Sequence, residues 1–135
     1  QVTSSPEEAM KEFQAELAID PYNFDSNLQI GAMLRKEQKY DEAKPYLMRA
    51  LATRPGDLAV RYQLAAIALS EGKLDEARRE LESIVKESPG FTEAHVTLSM
   101  AYFRLKRPED GNREKGIVEK LTAEAQAKQP GVKAQ

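Results

Sequence analysis

The chain has 135 residues, of which 41% are apolar and 31% charged, and its 20 basic residues nearly balance 22 acidic ones. A net charge of −2 provides no overall positive field for nucleic acid or an acidic membrane, and the absence of cysteine excludes disulfides, thiolate metal ligands and a cysteine nucleophile. No charge-free run exceeds about half of the roughly 20 residues that a membrane-spanning helix needs, so we expect no membrane insertion.

Apolar residues recur at steps of three and four along the whole chain, which indicates helices rather than strands. The pattern predicts seven helices, at residues 6–19, 25–37, 41–53, 58–71, 75–87, 92–105 and 109–127. A pair of acidic residues opens several of them, where carboxylates can cap free amides and oppose the helix dipole. Proline ends three of them, and Gly72 supplies a left-handed stop between two. Residues 128–135 carry little apolar mass and are predicted to form a disordered tail.

The predicted helices repeat with a period of 34 residues. Pro21, Pro55 and Pro89 are spaced by this interval, as are the small residues Ala9, Ala43, Ala77 and Gly111. A further register falls midway between the prolines, with Ile30-Gly31, Leu64-Ala65 and Leu98-Ser99 in equivalent places. Each unit therefore contains two helices, and the chain length is close to four units.

This organisation resembles the tetratricopeptide repeat (TPR), a 34-residue helix-turn-helix unit with the pattern W-x2-L-G-x2-Y…A-x3-F…P. The matching residues are Asn27, Ile30, Gly31, Leu34, Ala43, Leu47 and Pro55 in the first full unit, Arg61, Leu64, Ala65, Ala68, Ala77, Leu81 and Pro89 in the second, and His95, Leu98, Ser99, Tyr102, Gly111 and Lys115 in the third. The resemblance covers about residues 6–122 and implies an all-α fold, a right-handed superhelical TPR solenoid of about seven helices.

The resemblance divides the chain into repeats. Residues 1–23 are interpreted as the second helix of a truncated leading TPR, residues 24–57 and 58–91 as TPR units, and residues 92–127 as a degenerate unit with a capping helix. The departures lie at the tryptophan position, occupied by Asn27, Arg61 and His95, and in the last helix, where Lys115 replaces a large apolar residue. Gly111 and Gly116 in that helix each cost about 1 kcal/mol relative to alanine.

No catalytic constellation is visible in the sequence. His95 is the only histidine, and the nearby Glu93 does not complete a metal or general-base site. A phosphate-binding G-x-x-x-x-G-K loop is also absent from the sequence. We predict a non-enzymatic protein with no catalytic, cofactor-binding or metal-binding residues, in which His95 has a packing or surface role.

Charge is distributed unevenly between the two ends. Residues 1–23 contain five acidic residues and one lysine, whereas residues 104–120 contain six basic and four acidic ones. The small basic excess predicts no nucleic-acid partner. An acidic beginning and a mildly basic end favour head-to-tail contact, although solvated faces of ordinary helices are the simpler interpretation.

In TPR proteins the first helix of each unit lines the concave side, where ligand peptides lie. The resemblance implies a peptide-binding groove formed by Leu28, Gln29, Ala32, Arg35, Tyr62, Gln63, Ala66, Leu69, Val96, Met100, Phe103 and Arg104. The predicted helix at 58–71 is apolar around most of its circumference, which suggests burial on more than one side. We expect a ligand, a neighbouring chain or the protein's own tail on its second side, with Tyr62, Leu69, Met100 and Phe103 forming the pocket. An empty, tightly closed groove is the alternative.

The sequence therefore predicts a protein-interaction scaffold that binds a peptide or helix of a protein partner in an apolar concave groove. The alternative is a structural spacer or self-association segment of a larger TPR-containing protein. The helix at 6–19 lacks the partner that a complete repeat would place against it, so we expect either a longer array or a homo-oligomer formed through this helix. A cysteine-free chain is consistent with both cytoplasm and periplasm, which leaves the compartment open.

Overall fold

The structure, a computed structural model, describes residues 5–129 and contains seven α-helices and no strand over that range. The helices are α1 Pro6–Ile19, α2 Phe24–Lys36, α3 Tyr40–Thr53, α4 Leu58–Ser70, α5 Leu74–Glu87, α6 Thr92–Arg104 and α7 Pro108–Ala127. Every predicted helix is present, and each boundary agrees with the prediction to within one residue. Residues 130–135, most of the predicted tail, lie outside the described range.

Helix starts use two different physical devices. Ser5 and Glu8 form a reciprocal capping box at α1, and the Asn23 side chain accepts a 2.9 Å hydrogen bond from the Ser26 amide at α2. Helices α3, α5 and α7 have no side-chain cap hydrogen bond. Their N-cap residues are Lys39, Lys73 and Arg107, and the acidic pairs of their first turns favour the helix start through the helix dipole.

The turn inside each repeat has the same backbone conformation in all three full units. Gly72 has a φ of 83°, as predicted for a left-handed stop, and the residues 34 positions before and after it, Gln38 and Lys106, have φ values of 64° and 62°. Only glycine adopts this region without steric cost. The repeat geometry therefore overrides local preference at Gln38 and Lys106.

The chain forms two compact units, one up to Ile67 and one from Ala68, so the boundary falls within α4. In the first unit α2 packs against α3, and α1 packs more lightly on α2. Its buried core joins residues of α2, α3 and α4: Phe24, Ile30, Leu34, Ala43, Leu47, Ala50, Val60 and Ile67. Helix α1 has no buried residue, although Met10, Phe13 and Leu17 pack on the edge of this core.

The second unit is built around α6, which packs against both α5 and α7. Ala77, Leu81 and Ile84 of α5 are fully buried. Small residues meet where α6 and α7 cross, and the Ser99 hydroxyl donates a 2.9 Å hydrogen bond to the Gly111 carbonyl. Close approach at this crossing positions the outer faces of α6 and α7 next to each other.

Candidate functional site

In the first unit, three of the predicted groove residues are joined. Arg35 Nε of α2 donates a hydrogen bond to Gln63 Oε1 of α4, and the guanidinium carbon lies 6.0 Å from the centre of the Tyr62 ring. Leu28 and Ala32 are half-buried beside them, and Gln29 is exposed. The accessible groove positions of this unit therefore combine the polar side chains of Gln29, Arg35 and Gln63 with the half-buried Leu28 and Ala32.

The sequence predicts a ligand, a neighbouring chain or the protein's own tail on the second side of α4, and the structure gives a different explanation for its apolar residues. Tyr62, Ala66 and Leu69, its three apolar groove positions, are all buried within the chain itself. The apolar sequence around α4 is thus explained by packing inside this protein. Tyr62 and Leu69 do not form an open pocket for a ligand.

In the second unit, the groove positions of α6 are open. Val96, Met100 and Phe103 have exposed fractions of 42%, 52% and 39%. They border a cavity of about 390 Å³. Its remaining lining residues are Ser99 of α6 and Lys115, Val118 and Glu119 of α7. The structure therefore brings three predicted groove residues together at one apolar site.

The contribution of α7 to this cavity was missed by the sequence analysis. Val118 follows Ala50 and Ile84 at the 34-residue interval, and both of those earlier residues are fully buried. That register was the available signal, because it marks Val118 as a packing position in a helix otherwise interpreted as a solubilising cap.

Gly111 allows close packing against Phe103, in addition to lowering the helix propensity of α7. A Cβ atom at this position would lie 2.8 Å from the Phe103 ring, whereas one at Gly116 would meet no atom within 4 Å. The ring of Phe103 therefore rests directly against the α7 backbone at Gly111. Gly111 therefore lets Phe103 take its place in the wall of the cavity. Gly116 makes no such contact and only lowers the helix propensity of α7.

Charged side chains of α6 and α7 either make contacts within the second unit or lie at the rim of the cavity. Arg104 is exposed, but its Nη1 donates a 2.9 Å hydrogen bond to the Leu69 carbonyl at the end of α4. Asp110, in the first turn of α7, accepts hydrogen bonds from Arg107 and pairs with Arg113, and these contacts lower the pKa of its carboxyl group. Lys115 and Glu119 of α7 are exposed at the rim.

His95 is buried, in agreement with a packing role, but its partner was not foreseen. Its Nδ1 lies 2.6 Å from Glu114 Oε1 of α7, and its Nε2 lies 2.7 Å from the Pro89 carbonyl. The equivalent residue of the first unit, Asn27, donates to the carbonyl of Pro21, which lies 68 residues, or two repeats, before Pro89. Polar residues at the tryptophan position thus bind the proline turn preceding their own helix.

Tyr102 is another buried side chain of the second unit that carries a polar group. Burial, followed by the hydrogen bond that its hydroxyl donates to Glu82, raises its pKa. The hydroxyl therefore remains protonated and serves as a donor between α6 and α5. In the described part of the chain, no cluster of three or more histidine or acidic residues is arranged to hold a metal ion.

A family model for the tetratricopeptide repeat matches residues 34–87 and 68–113, which together cover more than half of the chain. The chain belongs to the tetratricopeptide repeat family. Its seven helices and its lack of strands over residues 5–129 agree with the all-α TPR solenoid class.

Solved TPR structures share this fold. MamA from Desulfovibrio magneticus RS-1 is 22% identical with a TM-score of 0.71, over 85% of this chain and 65% of that one. MamA of MSR-1 is 21% identical with a TM-score of 0.66, over 86% and 67%. YrrB, described as a TPR protein with an unusual peptide-binding site, is 25% identical with a TM-score of 0.68, over 85% and 59%. This TPR chain thus spans about two thirds or less of the length of these structures.

A comparison with curated proteins gave no match. Among the described residues of the TPR chain, no helix combines the length and apolar character needed to cross a membrane.

Proposed function

We propose that this TPR chain is a non-enzymatic protein-interaction module that holds a peptide or helix of a partner protein against the α6–α7 cavity. The observation that carries the proposal is the exposure of Val96, Met100 and Phe103 around one apolar depression. Three adjacent large apolar side chains are costly to leave in water, and contiguous exposed patches of this kind mark interaction sites.

The chemistry of the cavity suits a protein ligand. An aromatic ring offers a large apolar area with little conformational entropy to lose, and methionine adapts its shape to irregular partners. Lys115 and Glu119 at the rim supply charges that can orient a ligand. The other predicted groove residues, which lie on α2, α4 and α6, remain part of the proposal as additional contact positions for a ligand.

The test compares cavity variants against a partner captured from native extract and then purified. Phe103→Ala and Met100→Ala should each weaken its affinity roughly tenfold, because truncating a central contact of an interface costs about 1–2 kcal/mol. Met48→Ala is the matched control, since Met48 is 54% exposed on α3 and does not line the cavity. Unchanged affinity in both cavity variants would contradict the proposal.

The second candidate function is self-association through α1. Ile19 is 83% exposed, and a depression of about 580 Å³ is lined by residues of α1, α2 and α3, among them Met10, Met33 and Tyr46. Five charged residues also line it: Glu7, Lys11, Glu37, Lys39 and Glu42. Light scattering over a range of concentrations tests this candidate. A mass that rises with concentration and returns to the monomer in Ile19→Asp favours it, and a monomer throughout rejects it.

A further inference from the structure

We infer that the α6–α7 cavity is a docking position for one amphipathic α-helix of a partner protein, seated in the register that α6 occupies on α5. The inference rests on the proposed function and adds the conformation of the ligand and the spacing of its contact residues. It comes from comparing the last repeat with the repeats before it at the 34-residue interval.

The residues of α5 that are equivalent to the cavity residues of α7 are covered by the helix that follows. Leu81 and Ile84 of α5 are fully buried, and α6 packs against α5 within the second unit. The equivalent residues of α7 are Lys115 and Val118, and both line the open cavity. Val118 is therefore an apolar residue at a position that a following helix buries in the preceding repeat.

The first helix of each repeat shows the same contrast. Tyr62, Ala66 and Leu69 of α4 are buried. The residues 34 positions later are Val96, Met100 and Phe103, which are exposed. The cavity thus consists of positions that are closed in an internal repeat and open in the last described one.

Helices α4 and α6 show what kind of helix fits such a position. Each places apolar residues at i, i+4 and i+7, a spacing that forms a single helical stripe. In α4 these residues are Val60, Leu64 and Ile67, and in α6 they are Ala94, Leu98 and Ala101. Val60 and Ile67 belong to the core of the first unit, and Ala94, Leu98 and Ala101 are buried. A ligand helix with this stripe presents small or aliphatic side chains to the cavity.

This chain does not supply such a helix from its described residues. Ala123 stands where Pro55 and Pro89 end the equivalent helices, and α7 continues to Ala127 instead of turning back. The apolar stripe of α6 is already buried, and in α4 Val60 and Ile67 are buried while Leu64 packs against the core. In α1, Met10 and Phe13 already pack on the core of their own unit. Lys115 stands where the preceding repeat has the fully buried Leu81, so a further repeat of the same kind would bury a lysine here, and we assign the cavity to a helix of a separate partner protein.

The rim adds a charge preference. Lys115 replaces the fully buried Leu81 of the preceding repeat and is exposed beside the cavity. A partner helix that carries Glu or Asp opposite Lys115 gains a favourable contact there, whereas a basic residue at that place is disfavoured. The inferred ligand is therefore an amphipathic helix with an aliphatic stripe flanked by an acidic residue.

The experiment uses a fluorescein-labelled, alanine-rich peptide of about 16 residues, long enough to form a marginal helix. It carries Val, Leu and Ile at i, i+4 and i+7 and a flanking Glu. Two control peptides are used, one of the same composition with the three apolar residues on different faces, and one extended and interrupted by two prolines. Fluorescence anisotropy measures affinity for the full chain, and circular dichroism measures helix induction in the peptide.

The stripe peptide is expected to bind saturably and to gain helix content, with the scrambled peptide at least about tenfold weaker. Val118→Asp and Met100→Asp should weaken the stripe peptide by at least about tenfold, and Met48→Asp should leave its affinity unchanged. Both cavity residues are at least partly accessible to solvent, and unchanged far-UV circular dichroism of the variants verifies their fold.

Three results overturn the inference. Equal binding of stripe and scrambled peptides, or no binding of either, excludes a helix in this register. Preferential binding of the proline-containing peptide, weakened by Val118→Asp, excludes the helix but leaves the proposed interaction function intact. A dimer of this chain that Val118→Asp dissociates identifies a second copy as the occupant. The proposed function itself fails only in the separate experiment with Phe103→Ala and Met100→Ala.

Discussion

At the residue scale, small side chains determine how closely the paired helices of a repeat approach. Gly31 of α2 faces Leu47 of α3, and a Cβ atom added at Gly31 would lie 2.5 Å from Leu47 Cδ2. Leu47 is fully buried, so this contact lies inside the core. Gly116 of α7 is the opposite case, because an added Cβ there would have no neighbour within 4 Å. The same residue type is therefore required at one position and dispensable at the other.

We predict opposite effects of alanine at these two glycines. Gly31→Ala should lower the free energy of unfolding by about 1–3 kcal/mol, because the added methyl group overpacks a closed contact. Gly116→Ala should raise it by about 0.5–1 kcal/mol, because alanine restricts the unfolded chain and favours the helix. Urea denaturation followed by circular dichroism measures both values. Stabilisation in Gly31→Ala would mean that Leu47 adapts and that the crossing is looser than the structure shows.

At the scale of elements, the second unit is held together by polar contacts as well as by its apolar core. The His95 side chain connects α6 with Glu114 of α7 and with the Pro89 turn. Only 6% of the His95 side chain and 9% of the Glu114 side chain are exposed. Such a buried pair stabilises a fold little compared with apolar packing, but breaking it leaves an unsatisfied polar group. It therefore fixes the placement of α7, which forms one wall of the cavity.

We predict that Glu114→Leu destabilises the protein by about 3–5 kcal/mol, since His95 loses its partner while it stays buried. Glu114→Gln retains an acceptor oxygen and should cost less. The double variant His95→Leu with Glu114→Leu should recover part of the loss, because no polar group is then left unpaired. Chemical denaturation of the four proteins gives the coupling energy. Exposed Glu119 is the control, and Glu119→Ala should change stability by no more than about 0.5 kcal/mol.

At the scale of the whole molecule, the described chain consists of two compact units whose boundary lies inside α4. In repeat proteins each unit contacts its neighbours, and stability is approximately a sum of local terms. Leu47 is fully buried in the first unit and Leu81, 34 residues later, is fully buried in the second. These two leucines therefore allow the same substitution to be made in each unit.

We predict that Leu47→Ala and Leu81→Ala each cost about 2–5 kcal/mol, the range for a buried leucine replaced by alanine. The loss of hydrogen-exchange protection should be larger in α2 and α3 for Leu47→Ala and larger in α5 and α6 for Leu81→Ala. Mass spectrometry of proteolytic fragments measures this distribution. A uniform loss over residues 5–129 in both variants would indicate one cooperative domain instead of two units.

The sequence alone determined the features that depend on neighbouring residues. The helix boundaries, the 34-residue period and the TPR family follow from apolar spacing, proline and small residues, all of which act through contacts within a turn or within one repeat. The unexpected left-handed residues Gln38 and Lys106 follow the same repeat geometry as Gly72.

Only the tertiary structure decided which of the predicted groove positions are open. Tyr62 and Leu69 are buried, whereas their equivalents Val96 and Phe103 are exposed, and the sequence assigns all four to the same helix face. The difference arises because accessibility depends on what packs over a residue, which is set by other helices and not by its neighbours in sequence. The His95–Glu114 pair, 19 residues apart, was missed for the same reason: local patterns predict that a helix forms, but only packing determines which side chains meet.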